Sequence, residues 1–128
     1  MSPVDRSIQV WGYYAFAVGL LLAVAPNRFL AVLQIPPTSE PWIRVLGAVA
    51  IAIGFYYLGA VRGGVSREFA TATVFGRTVV TMSFVAVVAG WGYWLLLLPA
   101  VVEASSAVWT WSAMQRTGQV PDPEAPAV

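Results

Sequence analysis

Residues 68–114 of the chain read EFATATVFGRTVVTMSFVAVVAGWGYWLLLLPAVVEASSAVWTWSAM. The stretch contains two apolar segments, Glu68–Ala89 and Tyr93–Met114, and a helix needs about 20 such residues to cross the hydrocarbon core of a bilayer. Only Gly90-Trp91-Gly92 lies between them. Because so little chain is left for the connection, the two segments are predicted to form a tight antiparallel helical hairpin.

Two further apolar segments precede this hairpin, at Ile8–Ala25 and Trp42–Val61. Four segments of this length without alternation predict an all-α fold, a polytopic membrane protein built as a four-transmembrane-helix bundle. Residues 1–119 would form this single domain. The Pro-rich residues 120–128 are expected to be a disordered tail.

The composition agrees with a membrane location. Of 128 residues, 59% are hydrophobic and 10% are charged, whereas a soluble domain carries about a quarter charged residues. The chain has no His and no Cys, which excludes His-ligated haem, thiolate metal sites and His- or Cys-based catalytic triads. We therefore predict no cofactor, no metal site and no catalytic residue. The net charge of +1 gives no reason to expect nucleic acid as a partner.

Two other interpretations of the apolar segments are less favoured. Ala23-Val24-Ala25 resembles the cleavage site of a signal peptide, but Pro26 would follow the cut and Asp5 offsets Arg6 in the preceding region. Core or barrel strands would be shorter or would alternate between apolar and polar residues.

The basic residues suggest an orientation. With the N-terminus inside, four arginines lie on the cytoplasmic side and two on the outer side: Arg6, Arg62, Arg67 and Arg116 against Arg28 and Arg44. The positive-inside rule then predicts both termini in the cytoplasm. The protein is expected in the inner membrane.

The connection between the first two spans is the longest. Asn27–Ile35 is apolar after a polar start and is followed by Pro36-Pro37. It is too short to span a bilayer. A short helix lying in the outer interface and a loop packed over the bundle both fit this pattern.

Glycines indicate how the first two spans pack. Gly12 and Gly19 are seven residues apart in span one, as are Gly47 and Gly54 in span two. Seven residues are two helical turns, so each pair lies on one helix face. Small residues allow close approach in lipid, and spans one and two are predicted to meet along these glycines.

Two charged residues lie deep in the last two spans. Arg77 is about 13 residues before the glycine turn and Glu103 about 11 after it, so at 1.5 Å per residue their depths differ by about 3 Å. An isolated charge at a helix centre costs about 2.5–3.5 kcal/mol, and a guanidinium can grip a carboxylate through two hydrogen bonds. We predict an intramembrane Arg77–Glu103 ion pair facing the interior. It would either fix the helix register or form a candidate ligand site.

Tyr13-Tyr14 and Tyr56-Tyr57 could line a cavity, but anchoring at the membrane interface is the favoured interpretation. With Gly76-Arg77 in span three, and an acid followed by Ala107-x-Trp109-Thr110 in span four, the chain resembles the small four-helix membrane proteins of bacteria in the DoxX-like neighbourhood, over about residues 8 to 116. The acid in those proteins is usually Asp, whereas Glu103 stands in that region here. The resemblance implies a fold and a bacterial membrane location rather than an activity.

These features favour a structural or accessory bundle that packs with itself or with a larger membrane complex in the lipid bilayer. The alternative is binding or transport of a small anionic, amphipathic or lipid-like ligand at Arg77 and Glu103. An enzyme is least favoured, because no nucleophile or metal accompanies Glu103. Small multidrug exporters carry their coupling carboxylate in the first span, and Ile8–Ala25 contains no acidic residue.

Overall fold

A computed structural model of the protein describes the backbone of residues 1–119 and the side chains as far as Arg116. In chain order its elements are α1 (Pro3–Val24), α2 (Pro26–Val32), α3 (Trp42–Arg62), α4 (Arg67–Trp91), a 3-10 turn (Trp94–Leu96) and α5 (Leu97–Gln119). The described residues contain no strand. Four of the helices, α1, α3, α4 and α5, are long and apolar enough to cross a membrane. The predicted all-α fold class with four spans is confirmed, and the predicted tail, 120–128, lies outside the described residues.

The first helix begins earlier than its apolar segment because polar residues cap it. The Ser2 hydroxyl accepts a hydrogen bond from the Asp5 backbone N–H at 3.0 Å, and the Asp5 carboxylate accepts one from the Ser2 N–H at 3.2 Å. This reciprocal arrangement satisfies N–H groups that the first turn leaves without helical partners. The second Asp5 oxygen accepts from the Val65 N–H at 2.9 Å. The start of α1 is thereby tied to the loop between α3 and α4.

The hairpin turn between α4 and α5 lies further along the chain than predicted, because α4 ends later and α5 begins later. Gly90 and Trp91 remain helical, and Gly92 caps α4 directly after Trp91. Its φ of 74° is a left-handed conformation that glycine adopts without strain. The chain then passes through the 3-10 turn before α5 begins at Leu97.

The longest connection contains a short helix. Of the two interpretations left open for this segment, the structure has the helix, α2, whose Leu30 packs in a small cluster with Leu22 of α1 and Ile43 of α3. Arg44 of α3 donates to the carbonyls of Ala23 and Val24 at the C-terminal end of α1. These carbonyls have no helical partners, and a cation is favourable at this end of a helix.

The helices pack as two pairs, α1 with α3 and α4 with α5, and the pairs join where α1 contacts α5. Within the described chain, α3 and α4 make no extensive contact with each other. They approach near the loop that connects them, where the rings of Tyr57 and Phe69 meet edge to face at 5.7 Å. A gap therefore lies between α3 and α4 further from this loop.

All four glycines named from the sequence lie in the contact between α1 and α3. A Cβ atom built on Gly19 would be 2.6 Å from the Gly47 carbonyl oxygen, and one on Gly47 would be 2.7 Å from the Gly19 oxygen. A Cβ on Gly54 would be 2.9 Å from the Gly12 oxygen. Real Cβ atoms essentially never approach so closely, and the two backbones can be this near only because neither helix carries a side chain there.

Candidate functional site

Arg77 of α4 is the largest fully buried side chain of the described residues, with 2% of its surface exposed. Its Nη1 donates to the Ser106 carbonyl oxygen at 3.0 Å and to the Thr110 hydroxyl at 2.9 Å, both on α5. Its Nη2 makes a longer contact of 3.5 Å to the hydroxyl of Thr73, one turn earlier on α4. The guanidinium therefore ties α4 to α5.

A chain of hydroxyl groups extends this contact to α1. The Ser7 hydroxyl donates to the Val4 carbonyl oxygen at 2.8 Å and lies 2.9 Å from the Thr110 hydroxyl. Because a hydroxyl has one hydrogen and Ser7 gives it to Val4, Thr110 must donate to Ser7 and accept from Arg77. The buried network thus joins α1, α4 and α5, and each donor in it faces an acceptor.

Aromatic rings enclose the rest of the guanidinium. The Arg77 Cζ atom lies 5.1 Å from the centre of the Trp11 ring and 5.8 Å from that of Tyr57. Trp11 in turn stacks on Tyr14 at 4.5 Å. Within the described chain, Arg77 Nε is a buried nitrogen without a hydrogen-bond partner. The faces of these rings attract the cation and cover it.

Glu103 does not pair directly with Arg77 as predicted. Among the described residues there is no salt bridge between the two groups, and no hydrogen bond reaches the Glu103 carboxylate. The predicted depth was based on a turn at Gly90–Gly92, whereas α4 runs on to Trp91 and a 3-10 turn precedes α5. Arg77 is therefore level with Ser106 and Thr110, and Glu103 lies about one turn nearer the hairpin.

Both charged side chains instead line one cavity of about 360 Å³ in the gap between α3 and α4. The other lining side chains are mostly apolar or aromatic and come from α1, α3 and α4; they include Tyr14, Val18, Val49, Ile53, Val80 and Phe84. The cavity reaches the outer surface of the bundle, because 51% of Val49 and 38% of Val80 are exposed. It opens sideways, toward the space that lipid would occupy around a membrane-embedded bundle.

The sequence did not reveal several residues of this site. Tyr14 and Tyr57, interpreted as interfacial anchors, line the cavity instead. The sequence did not single out the Thr110 hydroxyl as a partner of Arg77. Thr73 and Arg77 are four residues apart on α4, and Ser106 and Thr110 are four apart on α5. Polar groups at this spacing share one helix face, and two such pairs on adjacent spans are the signal that could have identified the network.

No family model, curated protein or solved structure matches the chain. The DoxX-like resemblance of Gly76-Arg77 and Glu103 therefore stays a prediction.

Proposed function

We propose that the protein binds an amphipathic, lipid-like molecule in the cavity between α3 and α4. The single observation that carries this proposal is a mostly apolar cavity that opens sideways and contains two charged side chains, Arg77 and Glu103. Ligand sites are typically apolar clefts of about 300–1,000 Å³ with a few polar groups that orient the ligand. A volume of about 360 Å³ suits a small amphiphile or one chain of a larger lipid.

The two charges support this function better than a purely structural one. An ion pair that only fixes register would bring the groups into contact in a filled interior. Arg77 has such a role, because it hydrogen-bonds to Ser106 and Thr110 across the hairpin. Glu103 has no such bond in the described chain and faces the cavity. Polar residues in a span are costly, and one without a structural partner is a candidate binding group.

The proposal includes a location and an orientation. A bacterial inner membrane is what the DoxX-like resemblance implies, and the four-to-two arginine imbalance supports both termini in the cytoplasm. A ligand that partitions into lipid would then enter between α3 and α4 without crossing water. The bundle's packing with itself or with a larger membrane complex is the competing proposal, and the experiment below separates the two.

The test is to extract the protein with its surrounding lipid and to identify what is retained by mass spectrometry. Gly76 lines the cavity, and a Cβ atom built there meets no other atom within 4 Å. Gly76→Leu should therefore fill part of the cavity without a clash and release the bound amphiphile. Gly90→Leu is the matched control on α4, since its Cβ also meets nothing within 4 Å and it does not line the cavity.

We expect a molecule that is retained by the wild type and by Gly90→Leu and is depleted several-fold in Gly76→Leu. Equal retention by all three proteins would contradict binding in this cavity. A stoichiometric protein partner, with no molecule whose retention depends on Gly76, would favour the structural bundle instead.

A further inference from the structure

The two charges that line the cavity differ in what they can still bind. Both hydrogens of Arg77 Nη1 are accounted for by Ser106 and Thr110, and Nη2 faces Thr73. Only 2% of the side chain is exposed, and the Trp11 ring lies against the guanidinium. Nε has no hydrogen-bond partner in the described chain, but it is buried, so an anionic group could reach it only by displacing packed side chains. Arg77 is therefore a poor receptor for an anionic group.

Glu103 has the opposite character. Its side chain is only half-buried, it lines the cavity, and no hydrogen bond reaches its carboxylate within the described chain. In its ionised form the Glu103 carboxylate can only accept hydrogen bonds. In that form the cavity offers a hydrogen-bond acceptor, and a matching ligand must supply a hydrogen-bond donor.

The balance of charges in the cavity also restricts the charge of the ligand. The guanidinium stays protonated in proteins, and an ionised Glu103 cancels its charge within the same cavity. An anionic or cationic ligand would leave a net charge in low-dielectric surroundings, which is costly. An uncharged ligand leaves the balance intact.

We propose that the ligand is an uncharged amphiphile whose polar end is a hydroxyl group that donates a hydrogen bond to the Glu103 carboxylate. Long-chain alcohols and acylglycerols have this chemistry. The inference rests on the proposed ligand-binding function and names the class of its ligand. Arg77 then acts as the internal counter-charge and as a structural tie between α4 and α5.

The test uses three photoreactive alkyl probes of equal chain length that end in a hydroxyl, an ammonium or a carboxylate group. Each is added to the full chain in lipid nanodiscs, and the labelled residues are mapped by mass spectrometry. We expect the hydroxyl probe to label the cavity residues Ile53 and Phe84 about tenfold more than either charged probe, because each charged probe leaves an unbalanced charge in the low-dielectric cavity.

Glu103→Gln removes the negative charge and leaves that of Arg77 unbalanced. The preference for the hydroxyl over the carboxylate probe should then fall about tenfold or invert. Glu40→Gln is the matched control, because Glu40 is exposed in the connection before α3 and does not line the cavity. It should leave the preference unchanged.

A wild-type cavity labelled equally well or better by the carboxylate or the ammonium probe would overturn the inference while leaving ligand binding intact. An unchanged preference in Glu103→Gln would also overturn it. Labelling of Ile53 and Phe84 by none of the probes would instead contradict the proposed function itself. If Glu103→Gln fails to fold, the ranking of the three probes on the wild type decides the question.

Discussion

The α3 helix presents two different surfaces to its neighbours. Toward α1 it presents Gly47 and Gly54, which meet Gly19 and Gly12 with backbone against backbone. Toward α4 it presents larger side chains, and a cavity lies between the two helices although α4 also contains a glycine, Gly76. In lipid, close packing drives helices together. The comparison teaches that glycines produce a close contact where both helices carry them at matched heights, and that a glycine on one helix alone does not.

The largest effect is expected where the close contact is broken. Gly47→Leu would force a side chain against the Gly19 carbonyl oxygen and the Ala23 nitrogen, which are backbone atoms that cannot rotate away. We expect a loss of about 4–5 kcal/mol in the free energy of unfolding, measured by reversible denaturation in mixed micelles. Gly59→Leu on the same helix is the control, because its Cβ meets nothing within 4 Å. Equal stability of the two variants would contradict the glycine contact.

The next effect tests how Arg77 is held. Exchanging the charges, with Arg77→Glu and Glu103→Arg together, keeps one charge of each sign in the interior but removes the hydrogen bonds that Arg77 makes to α5. A glutamate at position 77 cannot donate to the Ser106 carbonyl oxygen. The double variant should therefore lose about 3–4 kcal/mol of unfolding free energy in the same assay. Recovery to wild-type stability would mean that the two groups act as a simple pair.

Much of the fold could be predicted because each span is a local pattern. Length and hydropathy identified four helices, and Gly12, Gly19, Gly47 and Gly54 indicated the packed pair, since residues seven apart share a face whatever the rest of the molecule does. Helix ends were less accurate. The start of α1 is formed by Ser2 and Asp5, which are polar and therefore lie outside the apolar pattern. Gly90 is a residue type common in turns, but it remains helical.

The site was less predictable because it depends on distances between helices. Arg77 and Glu103 were identified as the informative residues, yet their relation depends on where the hairpin turns, and an error of two or three residues there changes the partner. The cavity depends on a contact that does not form between α3 and α4. No local pattern in a single sequence indicates that two helices, such as α3 and α4, will not pack against each other.

A smaller loss of stability should distinguish the hydroxyl groups of the polar network from other hydroxyl groups in the spans. Thr110→Val removes a partner of both Arg77 and Ser7 and leaves a buried charge less well satisfied. We expect a loss of about 1–2 kcal/mol in unfolding free energy. Thr78→Val is the control, because the Thr78 hydroxyl is exposed and donates only to the Val74 carbonyl oxygen of its own helix. A loss of the same size in both variants would assign Thr110 no special role.

The smallest effect is expected where the gap is left open. Gly76→Ala adds one methyl group to a position whose Cβ meets nothing within 4 Å, so no contact is broken. Alanine is the better helix former by about 0.5–1 kcal/mol, so the unfolding free energy should stay the same or rise by no more than about 1 kcal/mol. Gly19→Ala makes the same chemical change against the Gly47 carbonyl oxygen, at 2.6 Å, and should be clearly destabilising. Equal stability of the two alanine variants would mean that the close approach of α1 and α3 does not contribute to stability. The difference between the surfaces that α3 presents to α1 and to α4 would then have no energetic basis.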